Sequence, residues 1–486
     1  MDCHRREILM AGLAATVGGG RAGRAIAEGA SVAPSAKEKP PMDGTFRFDD
    51  EARAAAAEDF GHIVHQTPEG VLFPGSADDV AAIIRWAGAA HRKVAPRGQS
   101  HSVYGRAQAR DGIVIDMTPL RAIGPIQNDR VVVGAGATWR AVLAATLPRG
   151  LTPPVLTDYL DLSVGGTLVV GGVGGTTSRY GMQSDNVLEM DVITGRGERI
   201  TCSPDSNGEL FHMVRAGLGQ VGVITGATLR LIPAPQRVRR YLLAYPNLKT
   251  LLADERLLAA DDRFDAVQGA IVPAPTGWTF RLDAACAFSG DEPPDDTALL
   301  TGVSHDRAAA KLSTLPYIDY VNRLAALEQL LRANGQWRYA HPWLTTFVGD
   351  SQVESVVSDA LDRLTPADLG TFGQVVLSAF RRPADASPLL RLPADSLSYA
   401  FNLVRIPTTN AVTEADRLVK ANRALYERVR AAGGTLYPVS ALPMSHDDWR
   451  SHFGSAWARF RDAKQRFDPG HVLTPGYAVF AAGGGP

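Results

Sequence analysis

The chain has 486 residues, a formal net charge of -1, and 45% hydrophobic against 21% charged residues. That length exceeds one ordinary hydrophobic core, so two domains are expected. Near neutrality gives no electrostatic basis for nucleic-acid binding, which needs clustered Lys and Arg, and no apolar run beyond the N-terminus is long enough for a membrane anchor.

The N-terminus reads as an export signal. His4-Arg5-Arg6 precedes the short apolar stretch Ile8 to Gly18, and Ala25-Ile26-Ala27 offers small residues at a cleavage spacing. The paired arginines favour the twin-arginine route, which exports folded proteins and suits a cofactor installed beforehand. Residues 1–27 are therefore expected to be removed, placing the protein in the periplasm or outside the cell. Residues 28–55 are expected to be a linker, with Pro, Ser, Ala and Lys crowding 31–44.

Val71-Leu72-Phe73-Pro74 predicts a short strand. Ser76 is placed to cap a helix with Asp78 and Asp79 in its first turn and Val80, Ile83, Ile84 and Ala87 on its apolar face. Lys93-Val94-Ala95-Pro96 returns as a strand, Arg97 to Ser102 forms a glycine-containing loop, and Gly112 to Met117 reads as a buried strand. Such a loop can offer backbone N–H groups to an anion such as a nucleotide pyrophosphate, although on composition alone an ordinary loop is the better reading. A second cluster changes that balance. Gly165, Gly166, Gly171, Gly172, Gly174 and Gly175, with Gly181 just beyond, lie among Val and Leu residues. Glycine at this density suits a backbone that approaches another group closely, and the apolar neighbours argue against a flexible linker. The pattern is not a G-x-G-x-x-G after a strand, so a Rossmann site is unsupported.

From 236 to 437, apolar strands (Tyr241 to Ala244, Val375 to Leu377, Tyr399 to Val404) alternate with helical runs. Asp306 to Leu312 is read as one helix and Thr413 to Ala432 as another, with Ala415, Leu418, Ala421 and Leu425 on one face. The alternation predicts an α+β domain with helices on one side of a sheet. Residues 438–486 are expected to return to the first domain. Cys3, Cys202 and Cys286 match no zinc or redox spacing, so no metal site is expected. Cys202 and Cys286 are expected to be inert small residues rather than a disulfide.

Read together, residues 60–235 resemble the vanillyl-alcohol-oxidase (PCMH) type of FAD-binding domain, and within it the cytokinin dehydrogenases. Three stretches carry the resemblance: Arg97-Gly98-Gln99-Ser100-His101-Ser102; Leu147-Pro148-Arg149-Gly150-Leu151-Thr152-Pro153-Pro154 running into Thr157-Asp158-Tyr159-Leu160 and Val164-Gly165-Gly166-Thr167-Leu168; and Glu209-Leu210-Phe211 with Gly217 to Thr225. Farther along, Trp337, His341-Pro342-Trp343-Leu344, His452-Phe453-Gly454, Phe467-Asp468-Pro469 and Leu473-Thr474-Pro475-Gly476 are similar to the same family, whereas 236–330 matches weakly. The resemblance implies a two-domain α+β fold of the vanillyl-alcohol-oxidase kind: a PCMH-type FAD-binding domain over 56–235 and an α+β substrate cap over 236–437.

It further implies that His101 carries FAD covalently, through a single bond because no Cys precedes the Val164-Gly165-Gly166 segment. Gly98, Gln99, Ser100 and Ser102 would wrap the pyrophosphate and ring edge. Ser163, Val169, Val173, Ile224, Tyr437, Thr474 and Tyr477 would also touch the cofactor. Asp158 matches the family's active-site aspartate, which accepts a hydrogen bond from the substrate amine and takes its proton; Asp161 and Asp185 lie nearby, and spacing does not exclude them. Pro342 and Trp343 are equally suited to lining a ring pocket or to packing. Four positions depart from the family pattern: Ser100 stands for a glycine, Val169 for a serine, and Arg106 and Tyr477 each for a glutamine that touches the flavin. The implied reaction oxidises the secondary amine of N6-substituted adenines to an imine, which water hydrolyses to adenine and an aldehyde. A quinone would accept the electrons, O2 more slowly, and the protein would act as a monomer. Oxidation of another amine, an alcohol or a sugar stays open, as does a non-catalytic flavin- or ligand-binding protein; an acidic residue at 158 favours an amine. The sequence places no partner for Asp158.

Overall fold

The computed structural model describes residues 39–382 and 386–480. The expected signal, its cleavage site and the first part of the expected linker lie outside them.

Four strands make the first sheet: β1 (Thr45–Arg47), β2 (Gly70–Phe73), β3 (Val94–Arg97) and β4 (Ile113–Asp116), in the order β1-β2-β4-β3. β1 runs antiparallel to β2, and the remaining pairs are parallel. A parallel pair needs a crossover, and the helix Ala77–Ala89 supplies it. Ser76 caps that helix by accepting from the Asp79 N–H. Val80, Ile83, Ile84 and Ala87 are all buried. Asp79 turns back to accept from the N–H groups of Asp43, Gly44 and Gly75 at 2.7–2.8 Å. This fixes the chain ahead of β1, so residues 45–55 are not linker. Phe46 is buried, and the helix Asp50–Ala56 packs Ala52 and Ala56 against Val71 and Val114.

The second sheet is antiparallel: β5 (Ile123–Gln127), β6 (Arg130–Gly134), β8 (Val187–Thr194), β9 (Arg199–Cys202) and β10 (Gly222–Arg230), in the order β5-β6-β10-β8-β9. β7 (Leu151–Thr152) pairs with β11 (Ile232–Pro233) beside it. The third sheet is β12 (Arg237–Tyr245), β13 (Ala266–Pro273), β14 (Trp278–Phe288), β15 (Asp306–Pro316), β16 (Leu344–Gly349), β17 (Gln374–Arg381), β18 (Leu397–Val404) and β19 (Thr435–Leu436). Its order is β15-β12-β14-β13-β17-β18-β16-β19, antiparallel throughout.

Asp306 to Leu312 is therefore strand, not helix. The run Ala308-Ala309-Ala310-Lys311 has high helix propensity, but it pairs with β12 as an edge strand, and tertiary pairing overrides a weak local preference. Period-two alternation divides the third sheet's faces. Val375, Leu377, Tyr399, Phe401 and Leu403 are fully buried on the face covered by the helices Leu248–Asp261, Asp350–Arg363 and Val412–Ala431. Gln374, Val376, Ser378, Ala400, Asn402 and Val404 point the other way, into a cavity.

After β19 the chain runs back to the first sheet. Val94 donates to the Val472 carbonyl and accepts from the Thr474 N–H, both at 2.8 Å. Cys202 is buried, Cys286 half-buried, and both are free. Among the described residues no helix is long and apolar enough to cross a membrane.

One buried acid sets a pH dependence. Glu255, on the helix Leu248–Asp261, is fully buried against Gly269 of β13, and burial pushes its carboxyl up to about 8 from 4.5. A folded-state value above the unfolded one means that the native state holds the proton more tightly, so stability falls as pH rises from about 4.5 to about 8. Glu255→Gln should flatten that fall. In thermal unfolding, the variant's midpoint should drop less than the parent's between pH 5 and pH 8; parallel curves would refute the assignment.

Candidate active site

The loop after β3 begins the site. Ser100 sits at φ +56, a left-handed conformation that favours glycine, which explains the glycine of the resembled pattern at this place. Gly98 has no room for a side chain: a Cβ there would lie 1.9 Å from Ser163 Oγ. The backbone N–H groups of Gln99, Ser100 and His101 donate to no protein acceptor among the described residues, leaving a nest of donors for an anion. Asp59 holds the far side of the loop. Its carboxyl accepts from the Gly105 N–H at 2.7 Å, the Ser102 hydroxyl at 2.9 Å and the Gly61 N–H at 3.0 Å. Burial raises that carboxyl to about 6 against these hydrogen bonds.

His101 lies between two rings, Phe60 at 4.1 Å and nearly parallel, and Tyr159 at 4.8 Å. His341 stacks on the other face of Phe60 at 4.0 Å. Burial, helped by the charge of Arg332, lowers the His101 imidazole to about 4, so it is neutral and nucleophilic at physiological pH. Its Nε2 is buried without a partner.

The second glycine segment forms the opposite wall. Ser163 begins the short helix Val164–Leu168. Gly172, at φ +78, presses on Gln183 and donates its N–H to the Tyr437 hydroxyl at 3.1 Å. A Cβ on Gly174 would meet the Leu156 carbonyl at 2.2 Å. These glycines permit close packing between protein segments, which lets the backbone itself form the wall. From the C-terminal return, Thr474 sits at φ +53 and donates its hydroxyl to the Gly219 carbonyl at 2.8 Å. Tyr477 meets the Arg106 guanidinium at 5.1 Å.

One cavity of about 480 Å³ joins these parts and is largely apolar. Gly98, Gln99, Ser100, His101, Ser102, Asp158, Ser163, Val169, Val173, Ile224, Tyr437, Thr474 and Tyr477 all line it, as does Arg106. Trp337 and Trp343 line it too, whereas Pro342 packs away, its carbonyl accepting from the Asn422 amide. Of the rival acids, Asp161 pairs outward with Arg140 at 2.7 Å, and Asp185 accepts from the Met182 N–H; neither lines the cavity. The unshared loop donors, the partnerless His101 nitrogen and the buried, unpartnered Asn402 Oδ1 on the facing sheet are what a wall completed by a large polar cofactor should show.

Sequence reasoning missed the surroundings of Asp158. Arg323, just after the helix Tyr317–Val321, donates to one Asp158 oxygen at 2.5 Å, and the Gln268 amide of β13 donates to the other at 3.2 Å. Behind them Arg240 pairs with Asp283 through two hydrogen bonds of 3.0 and 2.7 Å. Glu328 accepts from the Tyr159 hydroxyl at 3.2 Å and pairs with Arg332. Arg323 stands 165 positions from Asp158, on a different element, so no local spacing could have found it.

Residues 68–203 match the family model of an FAD binding domain, and residues 277–480 match that described as cytokinin dehydrogenase 1, FAD and cytokinin binding. The chain is 40% identical to an uncharacterized oxidoreductase of the fasciation locus of Rhodococcoides fascians, covering 90% of this chain and 99% of that protein. It is 36% identical to cytokinin dehydrogenase 10 of Oryza sativa subsp. japonica, covering 89% and 88%. The crystal structure of 6-hydroxy-D-nicotine oxidase from Arthrobacter nicotinovorans shares the fold, with a TM-score of 0.71 at 20% identity over 90% of this chain and 98% of that one. FAD is thus the cofactor the chain binds. Gly98→Ala, by driving a methyl into Ser163, should lower the flavin-to-protein absorbance ratio of the purified protein severalfold; full loading would show that the loop can shift. By its matches to both family models and its 36% identity to cytokinin dehydrogenase 10 over most of both chains, the chain belongs to the cytokinin dehydrogenase family and is an FAD-dependent oxidoreductase.

Proposed function

We propose that the protein oxidises the secondary-amine side chain of N6-substituted adenines, with FAD attached covalently to His101. The observation that carries this reading is Asp158, a carboxylate lining the same largely apolar cavity as His101, with Arg323 and Gln268 beside it. An ionised carboxylate only accepts hydrogen bonds. It suits a substrate N–H whose nitrogen gains positive charge as the neighbouring carbon gives up hydride. When bound, FAD supplies the two-electron acceptor for that hydride. Asp158 takes the proton from nitrogen as the C=N bond forms, and water then cleaves the imine to adenine and an aldehyde. A quinone would serve as the final electron acceptor, O2 more slowly.

Covalent attachment is supported by His101 itself. Its ring is neutral, held between Phe60 and Tyr159, and has a nitrogen free of protein partners. Export by the twin-arginine route rests on Arg5-Arg6 and the segment after it, and a monomer is the working assembly.

Two measurements test this. After acid denaturation, parent protein should stay yellow, whereas His101→Ala should release its flavin to the supernatant; release from the parent would remove the covalent link. Under anaerobic conditions isopentenyladenine should bleach the visible flavin band. Asp158→Asn should slow that bleaching by roughly 10²–10⁴-fold while keeping its flavin; an undiminished rate would dismiss Asp158 as the base.

A further inference from the structure

We propose that Asp158 and Arg323 act together to read an amidine edge, an N–H beside a ring nitrogen, which makes Arg323 a specificity-determining residue. Within the proposed substrates, Arg323 would then select for the ring nitrogen beside the amine. The proposal rests on the preceding reading of Asp158 as acceptor for the substrate N–H.

Three observations carry it. Asp158 and Arg323 line the same cavity, with side chains 35% and 13% exposed and a contact of 2.5 Å between them. An acceptor-only group and a donor-only group are thus presented side by side. Beyond its bonds to Asp158 and, at 3.4 Å, to the Tyr320 carbonyl, the Arg323 guanidinium keeps N–H groups that no acceptor among the described residues takes. Asp158, held at its other oxygen by Gln268, keeps lone pairs in the same way. One substrate face that donates from nitrogen and accepts at the next ring atom satisfies both.

Charge points in the same direction. Arg323 with Asp158 and Arg240 with Asp283 form a cluster with no net charge. A solitary carboxylate would favour any cationic alkylamine. With Arg323 beside it, an arriving ammonium meets a guanidinium, and like charges in a partly desolvated site repel. An amine conjugated to an azine ring is neutral and meets no such barrier. The Arg323 guanidinium also lies 4.8 Å from the Tyr320 ring, which holds its plane in place.

The test is anaerobic calorimetric binding of isopentenyladenine and its 1-deaza and 7-deaza analogues to the holoenzyme, with flavin bleaching followed separately. The 1-deaza analogue, which lacks the ring nitrogen of that amidine, should bind roughly 10- to 100-fold more weakly than the parent ligand, whereas the 7-deaza analogue should bind like the parent. Arg323→Gln should weaken the parent ligand by a similar factor and abolish the discrimination between analogues. Equal binding of all three ligands by the wild type, discrimination retained in Arg323→Gln, or no binding of isopentenyladenine would overturn the proposal. The wild-type comparison decides the matter even where the variant fails to fold. Discrimination without bleaching would support the edge reading and sink the proposed oxidation; bleaching without discrimination would do the reverse.

Discussion

A single buried carboxylate fixes how the cofactor half is assembled. Asp468 is completely buried and accepts from the Lys464 ammonium at 2.7 Å and from the Val472 and Leu473 N–H groups at 2.9 Å. Lys464 in turn donates to the Gln220 carbonyl at 2.8 Å, and a Cβ on Gly195 would strike the Asp468 carboxylate. Gln220 and Gly195 belong to the second sheet's approaches, whereas Val472 and Thr474 clip onto β3 of the first. Both sheets and the returning C-terminus therefore meet at one ion pair. Removing one partner of such a pair costs about 3–5 kcal/mol because the other charge is left buried alone. Both partners are hydrogen-bonded beyond each other, the carboxylate by two backbone N–H groups and the ammonium by the Gln220 carbonyl, which is the condition under which burial of charge is tolerated.

The active cavity follows from that junction. Thr474 reaches its left-handed conformation and its bond to Gly219 only because the strand-like run before it is pinned to β3. Tyr477 then enters the wall from the same turn. On the other side, the third sheet contributes whichever residues its helices do not cover, so one alternation decides both the cap's core and its cavity-facing surface. The walls come from stretches hundreds of residues apart, yet each is positioned by local geometry: a cap at Ser76, a left-handed turn at Ser100, glycines where segments touch.

Local signals were legible to the extent that their causes are local. The strand-helix-strand-loop-strand order around residues 70–116 could be read from periodicity, a capping serine and β-rich runs, and the helix ending near Ala431 from its apolar face. Every residue that the family motifs assigned to the cofactor lines one cavity, because motif residues sit on short stretches whose backbone conformation travels with them. What escaped was set elsewhere in the chain. Asp306 to Leu312 carries helix-forming alanines, but the open edge of β12 recruits it as a strand. Residues 45–55 fall within the expected linker, yet Asp79 holds the chain just ahead of them through the Asp43 and Gly44 N–H groups, 36 and 35 positions away. Arg323 and Gln268 converge on Asp158 from different elements, and no spacing encodes that convergence.

Two departures from the family pattern that stand far apart in sequence, Arg106 and Tyr477, are one contact in space. The guanidinium lies over the Tyr477 ring at 5.1 Å and near Tyr104 and Trp449 at 5.2 and 5.8 Å, and it donates to the Leu442 carbonyl at 2.6 Å and the Gly476 carbonyl at 3.4 Å. A cation over an aromatic face is worth about 2 kcal/mol or more when desolvated, so one substitution supplies the ring that the other's charge requires. Neither change alone would be expected to succeed: Arg106 against a glutamine would be a buried cation with fewer compensating partners, and Tyr477 against a glutamine would lose its charged neighbour. The pair also ties the loop that carries His101 to the turn that carries Thr474. That makes it a local repacking of the wall, built from residues other than the partners of Asp158, Arg323 and Gln268.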